Sequence, residues 1–225
     1  MAAAPRDFVY FKAQFPQLSS LSNFATLAAG LRLRAEDVTN EMLTVCPSLR
    51  TWLAPGPAIF SSSEALWQAL KARNVFTFRA FTADGRFGQW SLVFFEAVYG
   101  ATIAADKLKF WRGCDAVGIV AKLASNPAYR KKLGLAAEDL DYAREHLDPG
   151  IEQSVWLTIL KLKFQQNSRN RECLIGTGVS TLIEFEKSAQ RSGSHWGGLV
   201  SKKDGLFYGE NVMGRYLMLV RDMLL

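Results

Sequence analysis

Glu64, Gln68 and Lys71 stand at positions i, i+4 and i+7 of the chain. On a helix that spacing puts all three on one face. The backbones of Glu64 and Lys71 would then lie ~10 Å apart along the axis. A stabilising Glu–Lys pair sits at i+3 or i+4, so this spacing does not suit a direct intrahelical salt bridge. The two side chains can instead converge on something lying across the helix, with Trp67 walling the adjoining flank. A carboxylate and an amine facing one ligand are residue types of acid–base and nucleophilic chemistry. A solvated face with unrelated charges has the same spacing, and spacing alone does not separate the two.

A second cluster lies near the end of the chain: HWGG at 195–198, KKDG at 202–205 and GENVMGR at 209–215. Glycines let backbone N–H groups approach a ligand, and such loops often hold phosphate. The cluster matches neither the P-loop nor the dinucleotide-binding pattern, and an ordinary glycine-rich loop reads the same way. His195, next to Trp196, could donate a proton, but the sequence shows no partner for it. By residue type alone Trp111 and Trp156 read as core, and Cys173, beside an apolar run, as a buried thiol.

Elements must position these residues. The mixed aromatic and β-branched run at 7–15 predicts a short strand, and Gln17 to Asn23 a turn. Residues 36–52 predict a helix capped near Glu36 and Asp37. Pro55, Gly56 and Pro57 break the chain. Ser61 and Glu64 have capping-box spacing, so a helix should start there and run through EALWQALKARN. Residues 79–113 read as an insertion with a helix inside it, a turn at Asp84–Gly85 and a basic, aromatic segment from Lys107 to Arg112. Helical periodicity covers 114–133 and 136–147. Pro149–Gly150 is expected to end that part, before a helix from about Glu152 to Gln166. GRYLMLVRDMLL has apolar residues at helical spacing and predicts a terminal helix on the core. The expected architecture is one α+β domain over 1–225, mainly helical with a few short strands.

Composition limits the function classes. The 225 residues include 49% hydrophobic and 21% charged residues, an ordinary globular balance. Three cysteines, Cys46, Cys114 and Cys173, without a CxxC, argue against a disulfide framework and for a reducing, intracellular setting. Only two histidines, His146 and His195, make a histidine metal site improbable. The net charge of +6 suits an anionic partner such as phosphate, nucleotide or nucleic acid, or is simply a basic surface. Met1 to Pro5 lacks the pattern of a signal peptide. No apolar run approaches the roughly 18 residues of a membrane span.

Five segments, in this order, resemble the NADAR family of N-glycosidases. LSNFA (21–25) is similar to its F-S-N-F segment, with Leu21 for the first aromatic. SSEALWQALK (62–71) resembles its S-E-H-Y-x-Q-A-x-K helix. WLTILKLKFQQN (156–167) resembles its W-x(6)-KF-x-x-N segment. LIGTGVSTLIEFE (174–186) resembles its L-L-x-T-G-x-x-x-L-x-E stretch. HWGG followed by GENVMGRYLMLVRDML is similar to its ending. Two positions depart: Ala65 stands for the family's histidine after the glutamate, and Gly193 for an acidic residue before the tryptophan of W-G.

The resemblance implies hydrolysis of an N-glycosidic bond without cofactor or metal. Known branches act on ADP-ribose attached to guanine in nucleic acid, or on phosphoribosylamino-pyrimidines from riboflavin synthesis. It implies Glu64 as acid/base and Lys71 as a nucleophile that forms a Schiff base with the opened ribose; the lysine would need a lowered pKa. Lys163 is the alternative nucleophile and Glu184 a second carboxylate. Asn23 and Phe24, with Ser22 beside them, would hold ribose or base. Gln68, Trp156, Trp196, Gly197, Asn211 and Gly214 would line the pocket, and Arg221 would pair with a phosphate. Three activities stay open: an ADP-ribosylguanine hydrolase acting on DNA or RNA, a small-molecule glycosidase, and a non-catalytic ADP-ribose reader.

Overall fold

A computed structural model describes residues 8–12, 17–87, 115, 117 and 147–225. The expected insertion from residue 88 onward, its basic segment, and nearly all of the periodic stretches at 114–133 and 136–147 lie outside the described residues, as do Trp111, Cys114 and His146. The described part is α+β with helices predominating, and its strands are short.

Strand β1 (Phe8–Phe11) pairs in parallel with β4 (Thr181–Glu184), Phe8 opposite Thr181 and Phe11 opposite Glu184. Strand β2 (Leu31–Leu33) pairs antiparallel with β3 (Ala58–Phe60). A third ladder joins β5 (Leu199–Val200) to β6 (Phe207–Tyr208). The central element is a long helix running Pro149–Gln166, labelled α5 below. Among the described residues four short helices precede it: α1 (Asn40–Val45), α2 (Leu49–Leu53), α3 (Ser63–Leu70) and α4 (Val75–Ala80). Three follow: α6 (Ser168–Gly176), α7 (Ala189–Ser192) and α8 (Val212–Leu224). Helix α5 touches α1, α3, α6, α8 and β2. Its buried residues, Val155, Trp156, Ile159, Leu160, Lys163 and Phe164, recur at helical spacing and face inward as one stripe. Lys163 falls on that stripe, so its burial follows from its register.

The expected helix over 36–52 is broken in two. Thr39 Oγ1 accepts from Met42 N at 3.3 Å and caps α1, as hydroxyl side chains do at helix starts. Pro47 then disfavours helical geometry at Cys46, which is extended at φ −134° and ψ 83°. Glu36 and Asp37 belong to a separate 3₁₀ turn, Ala35–Asp37. The cap of α3 is Ser62 rather than Ser61, its Oγ accepting from Ala65 N at 3.1 Å. That helix ends at Leu70 instead of running to Asn74, because Asn74 caps α4, its Oδ1 accepting from Thr77 N at 2.8 Å. Pro149 opens α5 rather than closing what precedes it. Asp148 Oδ1 accepts from Gly150 N and Ile151 N at 2.8 and 3.3 Å, and proline suits a first helical position.

The terminal helix forms as expected and crosses β4. Gly214 makes the crossing possible: a Cβ there would meet the Leu182 carbonyl and the Asn211 amide. Gly214→Ala is therefore expected to cost about 2 kcal/mol or more in urea denaturation, as overpacking does; an unchanged midpoint would show that α8 shifts freely.

Candidate active site

The Glu64 side chain is 6% exposed and sits in the first turn of α3. Its Oε2 accepts from Asn23 Nδ2 at 2.6 Å, and its Oε1 from Gln68 Nε2 at 2.7 Å. The Glu64 N–H donates to the Asn23 carbonyl at 3.0 Å. Both carboxyl oxygens thus accept from amide donors, which fix the orientation of the side chain. Lys71 Nζ donates to Gln68 Oε1 at 3.3 Å. Gln68 therefore stands between Glu64 and Lys71, as the i, i+4, i+7 spacing requires. Asn23 is 6% exposed, and its Oδ1 has no hydrogen-bond partner.

The Lys71 ammonium lies 4.7 Å from the centre of the Trp67 ring. Burial pushes its pKa below the ordinary lysine value, while Glu64 and Glu152 pull the other way. A lysine so placed reaches its neutral, nucleophilic form more readily than one in water. From Trp67 an aromatic row runs through Trp156 (5.1 Å between ring centres) and Trp196 (5.7 Å) to His195 (4.9 Å). In the middle of the row the buried Trp156 Nε1–H has no acceptor.

Lys163 is wholly buried and donates to the Ser22 carbonyl at 2.8 Å. Burial pulls its pKa down to about 7, against the opposing pull of Glu184 and Cys173. Through that bond it anchors the 22–24 loop. Ser22 Oγ accepts from Phe24 N at 3.3 Å, and the Phe24 carbonyl accepts from Asp115 N at 2.7 Å. Asp115, which the sequence did not single out, also takes a hydrogen bond from Ser62 Oγ at 2.8 Å and so ties the loop to the start of α3.

Other expected ligand residues have partners within the protein. Asn211 is left-handed at φ 52°, a region that asparagine tolerates. Its Nδ2 donates to the Leu182 carbonyl at 2.8 Å, and its Oδ1 accepts from Glu184 N at 3.1 Å. A Cβ on Gly197 would lie 2.6 Å from the Glu184 carbonyl, so this glycine serves the approach of its loop to β4. The N–H groups of Glu210, Asn211, Val212 and Met213 donate to the carbonyls of Ser194, Gly197, His195 and Trp196. The start of α8 thus donates these N–H groups to protein carbonyls. Arg221 Nη1 donates to Thr177 Oγ1 at 3.0 Å and the Ser180 carbonyl at 2.9 Å. It lies about three turns along α8 from Asn211, and its buried Nε has no hydrogen-bond partner.

The structure thus brings Asn23, Glu64, Gln68, Lys71, Trp156 and Trp196 into one neighbourhood, with Ser22, Phe24 and Lys163 supporting it and Glu184 beside Lys163 and Asn211. Sequence reading missed Glu152 and Glu210, the partners of His195. Glu152 precedes Trp156 by one helical turn, a signal that was available; Glu210 meets His195 only through the fold. Among the described residues no cluster of His, Cys, Asp and Glu fits a metal ion, and no described helix is long and apolar enough to cross a membrane.

The fold and site define an α+β protein carrying a buried carboxylate joined through one amide to a lysine. No protein-family model matches the chain, and no curated protein matches it either.

Proposed function

We propose that this protein is an N-glycosidase of the NADAR type that removes ADP-ribose from guanine bases in nucleic acid. The observation that carries the reading is the Glu64–Gln68–Lys71 chain of hydrogen bonds, with Asn23 closing the second carboxyl oxygen. Further support comes from the order of the five resembling segments and from the net charge of +6, which favours a polyanionic substrate. Among the described residues Cys46 and Cys173 are free thiols, which suits work inside the cell.

In this reading Asn23 Oδ1 accepts from a ribose hydroxyl. Neutral Lys71 Nζ attacks C1′ as the bond to the guanine nitrogen breaks, and the pair of electrons in that bond leaves with the nitrogen, which gains a proton. Water carries the proton that Nζ loses to Glu64, since the Gln68 amide between the two holds them in place without passing a proton. Ring opening gives a Schiff base, and water adds to it and releases lysine and ADP-ribose.

Borohydride added during turnover of an ADP-ribosylated guanine oligonucleotide is expected to leave a mass adduct on Lys71. An adduct on Lys163, or none, would move the nucleophile elsewhere. Turnover of phosphoribosylamino-pyrimidines with none of the oligonucleotide would replace the nucleic-acid substrate by the small one.

A further inference from the structure

Asp115 belongs to none of the five segments that carry the resemblance. It is nevertheless 4% exposed and stands against both stretches of chain that hold Glu64. Its Oδ2 accepts from Ser62 Oγ at 2.8 Å, and its N–H donates to the Phe24 carbonyl at 2.7 Å. Ser62 Oγ in turn accepts from Ala65 N at 3.1 Å and so caps the helix on which Glu64 stands. Phe24 follows Asn23, whose carbonyl accepts from Glu64 N at 3.0 Å and whose amide donates to Glu64 Oε2 at 2.6 Å. Two short chains of hydrogen bonds thus lead from one aspartate to one carboxyl group.

A serine hydroxyl has a single proton to give. Giving it to Asp115 turns the lone pairs of Ser62 Oγ toward the Ala65 N–H, so the aspartate sets the direction of the cap. The loop is fixed on both sides of Asn23: Lys163 Nζ holds the Ser22 carbonyl at 2.8 Å, and the Asp115 N–H holds that of Phe24. Leu27 N donates to the Ser61 carbonyl at 2.8 Å and joins the same two stretches further along. The Asp115 segment is itself seated, since Val117 is buried in the core. The Asp115 side chain therefore ties the start of α3 to a segment whose backbone already carries the Asn23 loop.

We infer that Asp115 is a positioning residue for Glu64: by holding Ser62 with its side chain and Phe24 with its backbone, it sets the place of the Glu64 carboxyl group against Asn23. It acts through those neighbours rather than on the substrate. The inference rests on the glycosidase reading, in which Glu64 works in turnover. Replacing the side chain by alanine leaves the backbone bond to Phe24 and frees only Ser62, so the start of α3 loosens against the Asn23 loop. Asparagine keeps an oxygen that accepts from Ser62 Oγ and restores the tie.

The test is the single-turnover rate on an ADP-ribosylated guanine oligonucleotide at saturating enzyme. Wild type, Asp115→Ala, Asp115→Asn, Glu64→Gln and the double variant Asp115→Ala with Glu64→Gln are compared, each checked for folding by circular dichroism. Asp115→Ala should be slower by about 10-fold to 10²-fold, the cost of a misplaced catalytic group. Asp115→Asn should recover most of that loss. In the Glu64→Gln background Asp115→Ala should cost nothing further, because a residue that acts through Glu64 has nothing left to position. Should Asp115→Ala fail to fold, Asp115→Ser takes its place, its hydroxyl falling one bond short of Ser62. A folded Asp115→Ala at the wild-type rate, an Asp115→Asn as slow as the alanine variant, or the same factor lost again beside Glu64→Gln overturns the assignment and leaves the glycosidase reading standing. A wild type that releases nothing removes both.

Discussion

Glu64→Gln is expected to lower kcat on ADP-ribosylated guanine by about 10³-fold while the protein stays folded. The substitution keeps the shape of the side chain and removes its capacity to take a proton. One of its two atoms becomes an NH₂ facing an amide donor. Asn23 can relieve that clash by turning its amide, since its Oδ1 is otherwise unpartnered. The stability cost should therefore be about 1 kcal/mol, one hydrogen bond exchanged for a poorer one. Product release and urea denaturation, measured on one preparation, separate the two effects. A large loss of stability with activity retained would make Glu64 a structural residue.

Lys163→Met is expected to raise stability at pH 7 and lower activity. The lysine's folded pKa is pushed down to about 7 from 10.5, so the unfolded chain holds more protons between those values. Stability then rises with pH across that interval, the full penalty being present below pH 7. Cys46 opposes this above its ordinary value, because burial raises its thiol from 9.0 to about 12. The clear window is thus pH 7 to 9, where Lys163 should contribute a rise of about 2 kcal/mol; Lys71, also lowered, adds in the same direction. Methionine removes the penalty but strands the Ser22 carbonyl, which offsets about 1–3 kcal/mol of the gain. The net expectation at pH 7 is a stabilisation of about 2 kcal/mol with a flattened slope to pH 9. The loop carrying Asn23 loses its anchor, so turnover should fall even though the fold strengthens. Urea midpoints across pH 7 to 9 check the first part; a slope equal to wild type would contradict the burial of an uncompensated lysine.

The long periodic elements were legible because their signals are local. Helices α5 and α8 carry apolar stripes over three or more turns, and Ser62 with its neighbours announces α3 to within one residue. The stretch at 36–52 was misread because helix-forming residues were weighed above Thr39, which starts a helix, and Pro47, which ends one. The Glu64–Gln68–Lys71 face was legible from spacing alone, although the amide bridging it was not. The place of Lys163 among Trp156, Ile159, Leu160 and Phe164 marks it in the sequence as part of the buried stripe. The glycines near the chain end were read by their conformational freedom, whereas at 197 and 214 the structure uses their lack of a side chain. His195 looked solitary because its partners lie 15 and 43 residues away, and only the packing of α8 against α5 brings them together.

The most direct test is release of ADP-ribose from an ADP-ribosylated guanine oligonucleotide in a single turnover, with wild type and Glu64→Gln side by side. Wild type should leave free ADP-ribose and an oligonucleotide with intact guanine, and the variant should leave the substrate almost untouched. Wild type that releases nothing from this substrate or from phosphoribosylamino-pyrimidines, or a variant as fast as wild type, would contradict the account.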